Sequence, residues 1–165
     1  MTKVINICLN TASIEAAINE VRDYKAWIRR KTTEFVERLA NEGAIQALIG
    51  YESAYYRGPK DVDVNVEDRG DNTFAIVASG ETILILEFGA GVTYGYGHPL
   101  AEQYGMGPGT YPDSKGHWDD PKGWWLPKEA GGGHTFGNAP SMTMYKVGKD
   151  LRERIVEIAR EVFSS

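Results

Sequence analysis

Apolar side chains recur at three-, four- and seven-residue steps through Ile14, Ile18, Val21, Ile28, Phe35 and Leu39, with Glu20, Arg22, Arg29, Lys31 and Glu37 between them. That is the period of an amphipathic helix. Ser13 offers a hydroxyl to an orphan amide of the first turn, and Gly43 offers a stop, so the pattern predicts a helix over residues 13–43. Residues 44–49 read as a second short turn or a kinked continuation. Ahead of the helix, Val4 to Leu9 alternates as a short strand would, with Ile5, Ile7 and Leu9 on one side. A sheet edge or a disordered lead-in fits that stretch as well.

Gly58-Pro59 breaks the pattern, and its period then changes. Val62, Val64 and Val66 alternate with Asp61, Asp63, Asn65 and Glu67, as in a strand with one wet face. Arg69-Gly70-Asp71-Asn72 is turn chemistry, and Phe74, Ile76 and Ala78 continue as a second strand. Gly80-Glu81 suits a tight hairpin turn, which predicts a third strand from Thr82 to Phe88 and a meander over residues 61–88. That third strand is apolar on both faces, with Ile83 and Ile85 opposed to Leu84, Leu86 and Phe88. It requires cover on both sides, one from the helices and the other from an aromatic loop or a neighbouring subunit. At the far end Tyr145, Leu151, Ile155, Ile158 and Val162 predict a helix over residues 141–163, with Asn138 as its cap, Pro140 in its first turn and Gly148 weakening its start. Helices around a small antiparallel sheet make an α+β fold, here expected as a single domain over residues 1–165.

Between sheet and last helix lies a segment without periodicity, residues 89–138. It passes through Gly89-Ala90-Gly91, His98-Pro99-Leu100, Gly105-Met106-Gly107-Pro108-Gly109, Gly123-Trp124-Trp125 and Gly131-Gly132-Gly133. Loops beyond about 12–15 residues are uncommon in compact domains and are usually functional or disordered. This one holds three of the chain's four tryptophans, residues that disordered segments lack. It is expected to order against something else.

The whole chain has 165 residues and a net charge of −5. The acidic balance gives no general attraction to nucleic acid. One cysteine, Cys8, excludes an intrachain disulfide and, within an apolar alternation, reads as a small buried hydrophobe. No signal-peptide pattern opens the chain and no apolar run approaches the ~20 residues of a membrane span, so no membrane partner is expected.

Chemistry is sparse. Gly89-Ala90-Gly91 follows an apolar run, but Tyr94 stands where a dinucleotide fingerprint needs its third glycine. His98, His117 and His134, with Glu87, Glu102, Asp113, Asp119 and Asp120, are metal-ligand types, yet their spacing fits no paired-ligand pattern. No Gly-x-Ser-x-Gly elbow is present. Glu87, ending the most apolar run, needs an arginine or backbone amides for its carboxylate. As a base it would be catalytic; as a hydrogen-bond hub it would organise the loop, the reading favoured here. Trp118, Trp124 and Trp125 with Tyr94, Tyr96, Tyr104 and Tyr111 suit stacking on bases or sugars, but without a basic groove an interface fits better.

Taken in order, Leu86-Glu87-Phe88-Gly89-Ala90-Gly91, His98-Pro99-Leu100-Ala101, Tyr104-Gly105, Gly123-Trp124-Trp125 and Thr135-Phe136-Gly137 ahead of a terminal helix resemble the gene-product-ten-like morphogenesis proteins of phage HK ninety-seven type. The chain departs from them after Gly137, where Asn138-Ala139-Pro140-Ser141-Met142 replaces a second proline followed by Phe-Met. The resemblance implies a non-enzymatic virion protein without cofactor that joins tail to head as a ring-forming oligomer. Its partners would be itself and other head-completion or tail proteins, with DNA as passing cargo, in the host cytoplasm during assembly and then in the virion. The expected interface residues are Glu87, Phe88, His98, Pro99, Trp118, Trp124 and Trp125. The alternative is a small phage-encoded metal-dependent hydrolase using the loop histidines and Glu87.

Overall fold

The computed structural model describes residues 4–109 and 119–164. Helix α1 spans Thr11–Ser53, 43 residues or about 65 Å at 1.5 Å per residue. Asn10, not Ser13, caps it: the Asn10 side chain accepts from Ser13 N at 2.9 Å, while Ser13 Oγ accepts from Cys8 N at 2.9 Å. Residues 4–8 form no strand, so Ile7 and Leu9 stay exposed, and Cys8 is exposed rather than buried. Nor does Gly43 end the helix. A Cβ there would stand 2.5 Å from Ile76 Cδ1 and 2.8 Å from Leu151 Cδ1, so its glycine serves close packing between elements instead. The helix ends at Ala54, and the Lys60 ammonium donates to its last carbonyls, including Tyr51 O at 3.1 Å and Ala54 O at 3.0 Å. A cation at a helix C-terminus complements its dipole.

Strands β1 (Asp63–Asp68) and β2 (Phe74–Ser79) form an antiparallel hairpin in the register Val64↔Ala78 and Val66↔Ile76. Its turn uses positive φ at Gly70, Asp71 and Asn72, and Asn72 accepts from Thr33 Oγ1 of α1 at 2.5 Å. The expected third strand does not exist. Residues Ile83–Phe88 are a short helix, α2. The Asp61 carboxylate accepts from the amides of Glu81 and Thr82 and from the Thr82 hydroxyl, fixing the turn that leads into α2. At the other end Gly89 takes φ 78° and donates to Ile85 O at 2.9 Å. Ser141 N and Met142 N donate to Leu86 O and Glu87 O at 2.7 and 3.2 Å, so the exposed carbonyls of α2 are satisfied by the chain entering the last helix.

The long segment is broken into short pieces: helix α3 (Gly91–Tyr94), a 3₁₀ turn Glu102–Tyr104, strands β3 (Trp124–Leu126) and β4 (Gly133–Thr135), and a 3₁₀ turn Lys128–Ala130 between those strands. Strands β3 and β4 pair antiparallel as a second small sheet. Asn138 does not cap the last helix; it bridges Ala90 across antiparallel backbone. Helix α4 covers Thr143–Ser164, three residues beyond Pro140, and runs antiparallel to α1. Thr143 lies over Gly50, Val147 and Leu151 over Gly43, and Phe163 meets Phe35 and Trp27 at ring distances of 6.4 and 6.0 Å. The fold is α+β, with both terminal helices packed against small antiparallel sheets. Its core centres on Ala47, Tyr51, Leu86 and Val147, covered by the inner hairpin face with Val64, Ile76 and Ala78.

Candidate functional site: a carboxylate junction at the start of α4

The end of α2 delivers one carboxylate to the N-terminus of α4. Glu87 is buried, and four donors surround it. Oε2 accepts from the Tyr51 hydroxyl at 2.8 Å and from Met144 N at 2.9 Å. Oε1 accepts from Tyr145 N at 3.1 Å and lies 3.1 Å from His98 Nε2. Two free amides of the first turn therefore meet a buried anion, where the helix dipole also favours negative charge. A buried carboxylate without such partners would be strongly unfavourable.

The tautomer of His98 follows from its two contacts. Nδ1 accepts from Leu100 N at 3.1 Å, which leaves the ring proton on Nε2, facing Glu87. The ring lies tilted at 4.3 Å from Phe88 and edge-to-face at 5.8 Å from Tyr145. His98 thus fastens the 98–105 stretch to the junction through both nitrogens. Burial first, and then the nearby Glu87 carboxylate, push the Tyr51 phenol well above the ordinary tyrosine range, so Tyr51 remains a donor. Beside the cluster is an open cavity of about 500 Å³ walled by Leu84, Phe88, Leu100, Tyr104 and Arg152. The carboxylate and imidazole reach it with their hydrogen-bonding atoms already engaged by the chain.

A second knot locks the motif glycines together. Ala90 N donates to Asn138 O at 2.8 Å and Asn138 N to Ala90 O at 3.0 Å. A Cβ on Gly137 would fall 1.9 Å from Ala90 O, one on Gly91 2.5 Å from Phe136 O, and one on Gly123 2.1 Å from Thr135 O. Backbone approaches this close admit only glycine. Glu-Phe-Gly-Ala-Gly, Gly-Trp-Trp and Thr-Phe-Gly, separate in sequence, are one piece of architecture.

Of the residues expected at an interface, Glu87, Phe88 and His98 are buried by their own chain, while Pro99 is exposed. Trp124 and Trp125 point to opposite sides of β3. Trp124 is half-buried, its ring 3.1 Å from the position of a Cβ on Gly91. Trp125 is 76% exposed and edges onto His134 at 5.4 Å. Trp118 lies outside the described residues, as do Tyr111, Asp113 and His117. Glu87 and His98 come together; His134 instead lines a separate cleft of about 390 Å³ with Tyr55, Tyr56, Trp124 and Phe136. Sequence reasoning anticipated backbone amides on Glu87 but missed Tyr51.

Comparison with protein-family models, with curated proteins and with solved structures finds no match for this chain.

Proposed function

We propose that this chain is a structural virion protein of a tailed phage or prophage, of the neck or tail-completion type, joining tail to head as a ring-forming oligomer. One observation carries the reading: the motif residues that give the sequence its character are consumed in building the fold. Glu87 has four donors and His98 has both nitrogens engaged, which leaves neither poised to move a proton for a substrate. What the chain offers outward is apolar instead. Trp125, Tyr55, Tyr96 and Tyr104 are exposed, the composition of protein contact surfaces. The net charge of −5 suits a passage for DNA, because carboxylates near a lumen repel the phosphate backbone.

Disrupting the gene in an inducible prophage tests the proposal. Filled heads and finished tails that accumulate unjoined, and that join when purified protein is added to the lysate, are the expected result. Intact, infectious particles from the disrupted strain would overturn it.

A further inference from the structure

Helix α1 runs on past the end of helix α4. Helix α4 ends at Ser164, and its Phe163 meets Trp27. From Thr11 to Trp27 some 24 Å of helix, at 1.5 Å per residue, form an arm beyond that ring contact, covered along one side, where Ala17 is buried and Ser13, Glu20 and Trp27 are partly buried. The projecting arm is striped: Ile14, Ile18, Val21, Lys25 and Ile28 follow the 3–4 spacing of one helix side, and all are exposed. This side leads on toward Phe35 and Leu39 and lies next to the covered Ala17 side of the arm, not on it. Ile18 and Val21 are 46% and 53% exposed. Arg22 and Arg29 border this stripe.

The other half of α1 carries a second apolar row. Ile45, Leu48 and Ile49 are exposed, and Ile45 and Ile49 stand two residues either side of the fully buried Ala47, about 200° around the helix. They face away from the body. Exposed Glu34, Glu37 and Glu52 continue that row.

We infer that the arm of one subunit packs on the outer ridge of α1 in a second copy, a head-to-tail contact that rests on the ring reading and specifies it. The two patches look in opposite directions, so a copy set alongside with little rotation brings them face to face. Two different patches in contact make a heterologous interface, which closes into a ring when the rotation between copies divides a full turn and otherwise runs on as an open filament. Charge agrees. Laying Ile14–Ile28 parallel over Arg38–Glu52 places Arg29 over Ser53, next to the exposed Glu52, whereas two arms side by side in parallel would set Arg22 and Arg29 against their own copies.

Sedimentation velocity on Ile18→Asp and Ile45→Asp variants tests this, with circular dichroism checking that each exposed substitution leaves the fold intact. Wild type should assemble. Each variant alone should be monomeric, and a mixture of the two should give dimers only, because one intact arm and one intact ridge remain. In a second set, Arg29→Glu and Glu52→Arg should each weaken assembly about tenfold, and the double swap should restore it. Folded variants that assemble like wild type would remove this contact while leaving a ring built from other surfaces. A wild-type protein monomeric at every concentration would remove both contact and ring.

Discussion

Replacing Glu87 by glutamine keeps the side chain's volume and removes its charge, which isolates the electrostatics of the junction. Every neighbour of the carboxylate donates: Tyr51 Oη, Met144 N, Tyr145 N and His98 Nε2. An amide can present only one oxygen to them. If its NH₂ takes the place of Oε1 it meets the Tyr145 amide, and in place of Oε2 it meets the Met144 amide; in either orientation one backbone donor of α4 is left facing another donor. Losing a hydrogen bond to a charged acceptor costs roughly 1.5–3 kcal/mol, and losing the anion at the helix N-terminus about 0.3–1 kcal/mol more. The variant should thus be destabilised by about 2–4 kcal/mol. For a chain of this size that lowers the thermal midpoint by roughly 5–15 °C. Urea unfolding should show a lower midpoint with unchanged slope, and hydrogen exchange should speed at Met144 and Tyr145. A change below about 0.5 kcal/mol would mean that the carboxylate already behaves as a neutral acid, and the junction described above would be wrong.

Tyr51→Phe removes one donor to Glu87 and should cost about 1.5–3 kcal/mol. Because the folded phenol titrates above its unfolded value of about 10, its contribution is fully present below that value and fades as pH rises further; the variant should lack this alkaline loss in unfolding measured from pH 9 to 11. Asp61 is held below the ordinary carboxylate range by the Thr82 hydroxyl and the Glu81 amide. The contribution of these hydrogen bonds is present above the carboxylate's unfolded value and lost as pH falls through the lowered one, so wild type and Asp61→Asn should differ in urea midpoint at pH 7 and converge in acid. Gly137→Ala places a methyl 1.9 Å from Ala90 O at φ 113° and should cost roughly 3 kcal/mol or more. Gly105→Ala, with no atom within 4 Å, should cost only the roughly 1–2 kcal/mol of a left-handed backbone. Trp125→Ala should leave the melting temperature within about 2 °C yet weaken assembly, read by light scattering.

The elements legible in the sequence were those whose signal is local. The 3–4 spacing from Ile14 to Leu39 and from Leu151 to Val162 marks α1 and α4, and the alternation Val62-Val64-Val66 marks β1 together with its inward face. The run Ile83–Leu86 was not legible, since a short wholly apolar stretch has the same pattern as a buried strand or a buried helix turn. The choice was made by Asp61 at one end and by Ser141 and Met142 at the other, partners that spacing along α2 cannot reveal. Gly43 misled for a related reason: a glycine that ends a helix and one that lets Ile76 approach it are identical in sequence. The need for partners at Glu87 was readable from its apolar company. Their identity was not, because Tyr51 and His98 lie 36 and 11 residues away.

Native mass spectrometry of the purified wild-type protein, with electron microscopy of the same sample, tests the central claim most directly. A single closed species of integral subunit number, seen as rings with a central opening and lost in the Ile18→Asp variant, is the result the account predicts. An 18.3 kDa monomer at all concentrations, or open aggregates without closure, would contradict it.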